Sequence, residues 1–204
     1  RRLDFERAQA KNAESIFLNK INSQEISFFD DKLLQDHLFW YCVDKATEYG
    51  LPVKMHTGQW AMNNVMNMHW VEGNPSDCAS ICKQAPETKF IFFHLSYPHY
   101  EALLSLAKNY SNAYIDMCWS WSLNPLAAKD FLKKFILTAP NNKIFTFGGD
   151  DIIVENITGH ASIARKGITQ ALTELVFGHW IALNDALDLV DDLMYKNADR
   201  LFKY

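Results

Sequence analysis

The sequence has few of the features that mark fibrous, membrane-spanning or nucleic-acid-binding proteins. Eight glycines and six prolines in 204 residues exclude collagen-like and low-complexity structure. No apolar run approaches the roughly 20 residues that cross a bilayer. Lysine and arginine number 20 against 24 aspartates and glutamates, and no basic cluster exceeds two residues in a row. We therefore expect a protein that binds neither a membrane nor nucleic acid.

Cysteine is also scarce, with four residues scattered along the chain. This number is too small for a disulfide scaffold in a chain of this length, so the sequence predicts a reducing, cytoplasmic location. The only close pair, Cys78 and Cys82, is spaced four residues apart and shares one helical face. We interpret that pair as core packing and not as a metal site.

The apolar residues that are present, 49% of the chain, suffice for one core, and residues 1–204 are interpreted as a single domain. Short apolar runs alternate with helical patterns. The runs predict buried strands at residues 52–56, 89–94, 113–118 and 143–147. Helices are predicted over residues 34–49, from Pro98, from the Asn124–Pro125 cap, and continuously from Ile163 onward. This order predicts an α/β fold with parallel strands joined by helical crossovers.

Polar side chains follow the predicted strands where each one ends. His56 closes the first strand, His94 the second, and Asp150 or Asp151 follows the fourth; the third carries Asp116 slightly lower. Each histidine alone could be a satisfied core residue. Because the carboxyl ends of parallel strands meet at one edge, we instead expect two imidazoles and a carboxylate to converge there. Such a set suits a divalent metal, with zinc as the expected ion.

Several segments together resemble one known family. They are residues 34–40, 50–53 and 56–58, then 94–98, 112–116 and 147–150, and finally the tail 197–202 with Asn197-Ala198 and Leu201. In this order they resemble the fifth to eighth strand units and the closing helix of the amidohydrolase superfamily, which are metal-dependent barrel enzymes. The resemblance covers nearly the whole chain. It implies the C-terminal half of a TIM-type (β/α)8 barrel, about strands 5 to 8, with additional C-terminal helices.

The resemblance also implies a function and a set of roles. The expected activity is hydrolysis of an amide, ester or related bond of a small-molecule substrate through a metal-activated water, or a related lyase or isomerase step. His56 would be a metal ligand, and His94 a ligand or an electrophilic catalyst. Asp150 would be a ligand and general base, with Asp151 as the competing candidate; the preceding Gly148-Gly149 favours Asp150.

Four further residues are candidates for contacts with substrate. Tyr97 and Trp119 follow predicted strands, and His69 lies in the connection 59–78, which is either a lid or a surface loop. Arg165 could meet an anionic group of the substrate or could simply be a solvated helix residue.

The sequence departs from the family pattern in two ways. It contains no His-x-His pair, which the first strand of the family supplies, and only four strands are predicted. The alternative to an enzyme is therefore a non-catalytic half-barrel that serves as a binding or assembly module. In either case we expect the open sheet to be completed by a missing N-terminal half or by a second copy, as in a homo-oligomer.

Overall fold

Four parallel strands form one sheet in which the order in space follows the order in the chain. The computed structural model describes residues 2–61 and 64–202. The strands are β1 Val53–His56, β2 Phe90–Phe93, β3 Ala113–Asp116 and β4 Ile144–Phe145, all paired in parallel. All four predicted strands are present, each shorter than predicted.

Helices connect the strands and follow the last one. They are α1 Ala10–Ile21, α2 Phe28–Glu48, α3 Met68–Gln84, α4 Ala102–Asn109, α5 Ser120–Leu123, α6 Pro125–Thr138, α7 Asn156–Phe177, α8 Leu183–Asp191 and α9 Asn197–Phe202, with a π turn at Asp192–Lys196. Each crossover between neighbouring strands therefore contains at least one helix. Among the residues described, no helix is both long and apolar enough to cross a membrane.

Side-chain caps explain where two of the helices begin. The Ser27 hydroxyl accepts a hydrogen bond from the Asp30 backbone N–H at 3.1 Å, which starts α2 ahead of the predicted residue 34. The Asn124 side chain accepts from the Ala127 N–H at 3.1 Å, and Pro125 is the first residue of α6. The predicted start of α6 is therefore confirmed.

Three further predictions, one for a connection and two for helices, were wrong. The connection 59–78 was interpreted as a loop, but α3 begins at Met68, after Asn67 accepts a hydrogen bond from the Trp70 N–H at 3.2 Å. Residues 62 and 63 of that connection lie outside the described residues. The helix expected at Pro98 begins only at Ala102, because a tight turn follows β2. The helix from Ile163 starts earlier, in α7, and is not continuous, since α7 ends at Phe177 and α8 begins at Leu183.

The two faces of the sheet differ in chemistry. One face is apolar and packs against the helices. It carries the partly buried Val53 and six residues that are at most 8% exposed: Met55, Phe90, Phe92, Ala113, Ile115 and Ile144. Strand register places mainly polar and aromatic residues on the other face, here called the open face, together with the buried Ile91: Lys54, His56, Ile91, Phe93, Tyr114, Asp116 and Phe145. The open face leads at its carboxyl edge to the candidate site.

Candidate metal centre

His94 directly follows β2 and begins a strained turn. His94, Leu95 and Ser96 have φ values of 68°, 55° and 50°, so three consecutive residues without glycine adopt the left-handed region, and all three are buried. Thr57 holds this turn in place: its hydroxyl donates to the Phe93 carbonyl at 2.6 Å and accepts from the Ser96 N–H at 3.0 Å. The loop after β1 thus fixes the residue that carries the imidazole.

Gly58 allows that loop to lie against the turn. Its φ is +69°, and a Cβ added there would lie 2.4 Å from the Tyr97 backbone nitrogen. The Gly58 N–H donates to the Asn74 side chain at 2.9 Å, which joins the loop to α3. Both strand ends and α3 therefore support the position of His94.

The His94 ring presents one nitrogen to the site. Nδ1 lies 2.9 Å from the Cys118 carbonyl oxygen, so the proton is assigned to Nδ1, which donates. Nε2 is buried and lies 3.2 Å from Oδ2 of Asp150, but the two groups are not aligned for a hydrogen bond. Burial lowers the His94 pKa, against the raising effects of the Cys118 carbonyl and of Asp150. The ring is thus neutral, with a lone pair on Nε2.

Asp150, which the sequence favoured, and Asp151, the competing candidate, lie in different environments. Asp150, with a φ of 44°, faces His94 and has a side chain that is 55% exposed. Asp151 accepts hydrogen bonds from the Ile153 N–H at 2.9 Å and the Asn156 side chain at 3.0 Å, and these bonds lower its pKa. Asp151 orders its own loop, and Asp150 is the carboxylate beside the imidazole.

His56 closes β1 next to His94, with ring centroids 4.6 Å apart. Its Nε2 lies 3.0 Å from the Gln59 carbonyl oxygen, to which it donates. The structure therefore brings the two predicted histidines together, with Nε2 of His56 engaged by its own loop.

Cys118 lies at the same place, although the sequence analysis gave it no role. One ligand atom from each of His94, Cys118 and Asp150 lies within 4.8 Å of the other two. Burial raises the pKa of the Cys118 thiol to about 12. A sequence signal existed: Cys118 follows Asp116 by two residues at the end of a strand, as His94 follows β2. The sequence does not show that Gly148 packs against Cys118, where a Cβ at Gly148 would lie 2.8 Å from Sγ.

An ion pair on the open face was also missed. Lys54 Nζ lies 3.0 Å from Oδ2 of Asp116, whose Oδ1 accepts from the Cys118 N–H at 2.8 Å. Burial raises the pKa of Asp116, and Lys54 opposes that shift. A lysine inside an apolar strand, two residues before His56, was the available signal.

The candidate substrate residues are placed differently from one another. Trp119 lies beside the site, with its ring centroid 5.5 Å from that of His94. Tyr97 is half-buried, and its hydroxyl accepts from Asn124 Nδ2 at 3.4 Å. His69 and Arg165 lie at exposed positions on α3 and α7, and they stay predictions.

The residues present fit a divalent transition metal. His94 Nε2 is buried, faces a carboxylate and has no hydrogen-bond partner among residues 2–61 and 64–202. Its other nitrogen is held by a backbone carbonyl, as is usual for metal-binding histidines. Nitrogen and oxygen donors of this kind, with a sulfur nearby, suit zinc-like ions better than magnesium or calcium.

Sequence comparisons relate the chain to known proteins. The family model described as amidohydrolase matches residues 22–204. Protein fluG from Emericella nidulans is 23% identical over 183 residues, which are 85% of this chain and 20% of that protein.

Solved structures show the same fold. A uronate isomerase from Thermotoga maritima matches 99% of this chain and 48% of its own length, with a TM-score of 0.81 at 12% identity. A glucuronate isomerase from Caulobacter crescentus matches 100% and 46%, with a TM-score of 0.77 at 18% identity. A Lactobacillus casei protein, provisionally assigned as a metal-dependent hydrolase, matches 99% and 54%, with a TM-score of 0.75 at 20% identity. The chain spans about half the length of these proteins, and the predicted half-barrel fold is confirmed.

Proposed function

Because this chain belongs to the amidohydrolase family, we propose that it carries part of the active site of a metal-dependent hydrolase that cleaves an amide, ester or related bond of a small molecule. One observation carries the proposal. The buried Nε2 of His94, which has no hydrogen-bond partner among the residues that the structure describes, lies 3.2 Å from the Asp150 carboxylate at the carboxyl edge of a parallel sheet.

His94 and Asp150 would hold the metal, with His56 as a further ligand once its Nε2 releases the Gln59 carbonyl. Zinc is the ion we propose, on the chemistry of the donors. Such an ion, when bound, supplies a Lewis acid that polarises the scissile carbonyl.

The protein residues would orient the His94 ring and transfer protons. The Cys118 carbonyl keeps the proton of His94 on Nδ1, so that Nε2 stays available. Asp150 is half-exposed, so its carboxylate can take a proton from the attacking water and return it to the leaving group. Trp119 lies against His94 and offers an apolar wall for the substrate.

An isomerase is the second candidate function. Two of the structural neighbours are uronate or glucuronate isomerases, and a carboxylate beside a metal can also move a proton between carbon and oxygen. A non-catalytic module is not favoured, because the family match includes the edge where His94 and Asp150 meet.

We further propose that additional strands cover the open face in the working enzyme, from the same polypeptide or from a second copy. The Lys54 side chain is 47% exposed there, and Phe93 and Tyr114 are half-buried. The structural neighbours are about twice as long as this chain. A cytoplasmic location is proposed from the scarcity of cysteine.

The test compares Asp150→Asn with Asp151→Asn in the protein at its full natural length. We expect Asp150→Asn to lower kcat about 100-fold or more, with a smaller change in KM, on whichever ester, amide or sugar-acid substrate the wild type turns over. Asp151→Asn keeps an oxygen for the Ile153 N–H and should retain most activity. Full activity in Asp150→Asn, or wild-type protein without bound metal by elemental analysis, would contradict the proposal.

A further inference from the structure

We propose that Cys118 supplies a sulfur ligand to the metal that His94 and Asp150 hold. This inference rests on the proposed function and adds a residue to its site. The first observation is the cluster itself, in which one ligand atom from each of the three residues lies within 4.8 Å of the others. Ligand atoms around a tetrahedral ion with metal–nitrogen and metal–sulfur bonds of about 2.0 and 2.3 Å lie about 3.5 Å apart, so small side-chain rotations close the set.

The second observation is independent of the cysteine and points to a ligand. His94 is fully buried, and its Nε2 has no hydrogen-bond partner within the part of the chain that the structure describes. A buried polar nitrogen without a hydrogen-bond partner is unfavourable, because it has lost its contact with water. A bound cation removes that cost, and Asp150 Oδ2 lies on the same side of the ring at 3.2 Å.

The third observation concerns Gly148, which makes room beside the sulfur. A Cβ added at Gly148 would lie 2.8 Å from Cys118 Sγ. The Gly148 carbonyl accepts a hydrogen bond from the Trp119 N–H at 2.7 Å, which fixes the segment after β4 against the end of β3. Backbone from two strands thus meets at the thiol, and only a residue without a side chain fits there.

Binding of the metal by the Cys118 sulfur releases one proton. The S–H bond of Cys118 breaks as the sulfur–metal bond forms, and the proton passes to solvent. No oxidant or reductant is involved. The sulfur makes the site softer, so it should prefer zinc, cobalt or cadmium over magnesium, manganese or calcium. His56 is then not required as the third protein ligand.

The experiment is optical spectroscopy of the full-length protein loaded with Co²⁺ alone. We expect a near-ultraviolet thiolate-to-cobalt charge-transfer band in the wild type. The band should disappear in Cys118→Ser, with a loss of cobalt affinity of about tenfold or more. It should persist in Cys42→Ser, the matched control, because Cys42 is exposed on α2.

A second variant still tests the proposal if circular dichroism shows that Cys118→Ser folds poorly. Gly148→Ala leaves the thiol in place but crowds Sγ, so the charge-transfer band should shift or weaken while Cys118 is still present. Stoichiometric cobalt without any thiolate band in the wild type would overturn the sulfur ligand and leave the proposed hydrolase intact. A protein that binds no cobalt would overturn both.

Discussion

Lys54 and Asp116 form an ion pair across the open face, with Nζ of Lys54 3.0 Å from Oδ2 of Asp116 although β2 lies between their strands. The Asp116 side chain is 7% exposed, whereas that of Lys54 is 47% exposed. Lys54 therefore offsets the cost of burying a carboxylate whose other oxygen holds the Cys118 backbone N–H.

Lys54→Met should destabilise the protein by about 1 to 2 kcal/mol in urea denaturation, because it leaves the Asp116 charge without its partner. Adding Asp116→Asn should restore much of that loss. Lys45→Met is the matched control: the Lys45 side chain is also 47% exposed, but its partner Glu48 is 55% exposed. That control should leave the free energy of unfolding nearly unchanged, and an equal loss in both lysine variants would disprove the argument.

Gly58→Ala should destabilise the protein by about 3 kcal/mol or more, because the new Cβ meets backbone atoms of the turn that carries His94. Gly50→Ala provides the comparison. Gly50 has a φ of +67°, close to that of Gly58, yet nothing in the described chain lies within 4 Å of a Cβ placed there. Its cost should be only about 1 kcal/mol, from the left-handed conformation alone. Similar unfolding midpoints for Gly58→Ala and Gly50→Ala would show that Gly58 is not in close contact with the turn that carries His94.

Gly167→Ala tests how α7 packs against α5. The added Cβ would lie 2.1 Å from the Trp121 ring, whose Nε1 donates to the Thr146 carbonyl at 2.7 Å. We expect a loss of about 2 to 3 kcal/mol in the free energy of unfolding. Gly159→Ala, in the same helix, meets no described atom within 4 Å and should stabilise by up to about 1 kcal/mol. Thermal unfolding of both variants measures the contrast, and a stable Gly167→Ala protein would contradict it.

Asp77→Asn should change the dependence of stability on pH. Burial on α3, together with the nearby Asp4, raises the pKa of Asp77 to about 6. The folded state therefore binds this proton more tightly than the unfolded state, and the free energy of unfolding falls as the pH rises from about 4 to 6. The variant should be more stable than the wild type at pH 7 by about 1 kcal/mol after allowance for solvent screening, and equal to it below about pH 4.

The control for this titration is Glu72→Gln, which removes an exposed carboxylate from the same helix. Urea denaturation between pH 3.5 and 8 should show no comparable pH-dependent gain for Glu72→Gln. A difference between Asp77→Asn and wild type that stays constant with pH would argue against a buried, titrating Asp77.

The strands were predictable because their signal is local. Phe90 to Phe93 is an apolar run bounded by polar residues, and the other three runs are also short and mainly apolar, although Lys54 and Asp116 interrupt two of them. The Asn124–Pro125 pair predicts a helix start for a local reason too, since cap and first turn are neighbours in the chain. The start of α3 was missed because the whole connection 59–78 was interpreted as a loop, although Asn67 within it caps the helix.

The site was predictable only in part, because several of its contacts join residues that are far apart in the chain. His94 and Asp150 could be proposed from their positions at strand ends, and the structure places them together. Cys118 depends on the close approach of Gly148, and Lys54 on a partner two strands away. The residues around Cys118 and Lys54 carry a local signal, but they do not identify the distant partner. The left-handed turn at His94, which also displaces the start of α4, depends on support from Thr57.

Asn197 lies buried at the start of α9, and its side-chain amide donates to the carbonyls of Asn141 and Ile144, at 2.6 and 3.0 Å. Thr146 makes a second link, donating to the Leu193 carbonyl at 2.6 Å. We therefore expect the closing helices and the short strand β4 to unfold as one cooperative unit. Their backbone amides should therefore exchange with solvent hydrogen through one shared opening. The loop that carries Asp150 should be about as stable as the C-terminal helices that anchor β4.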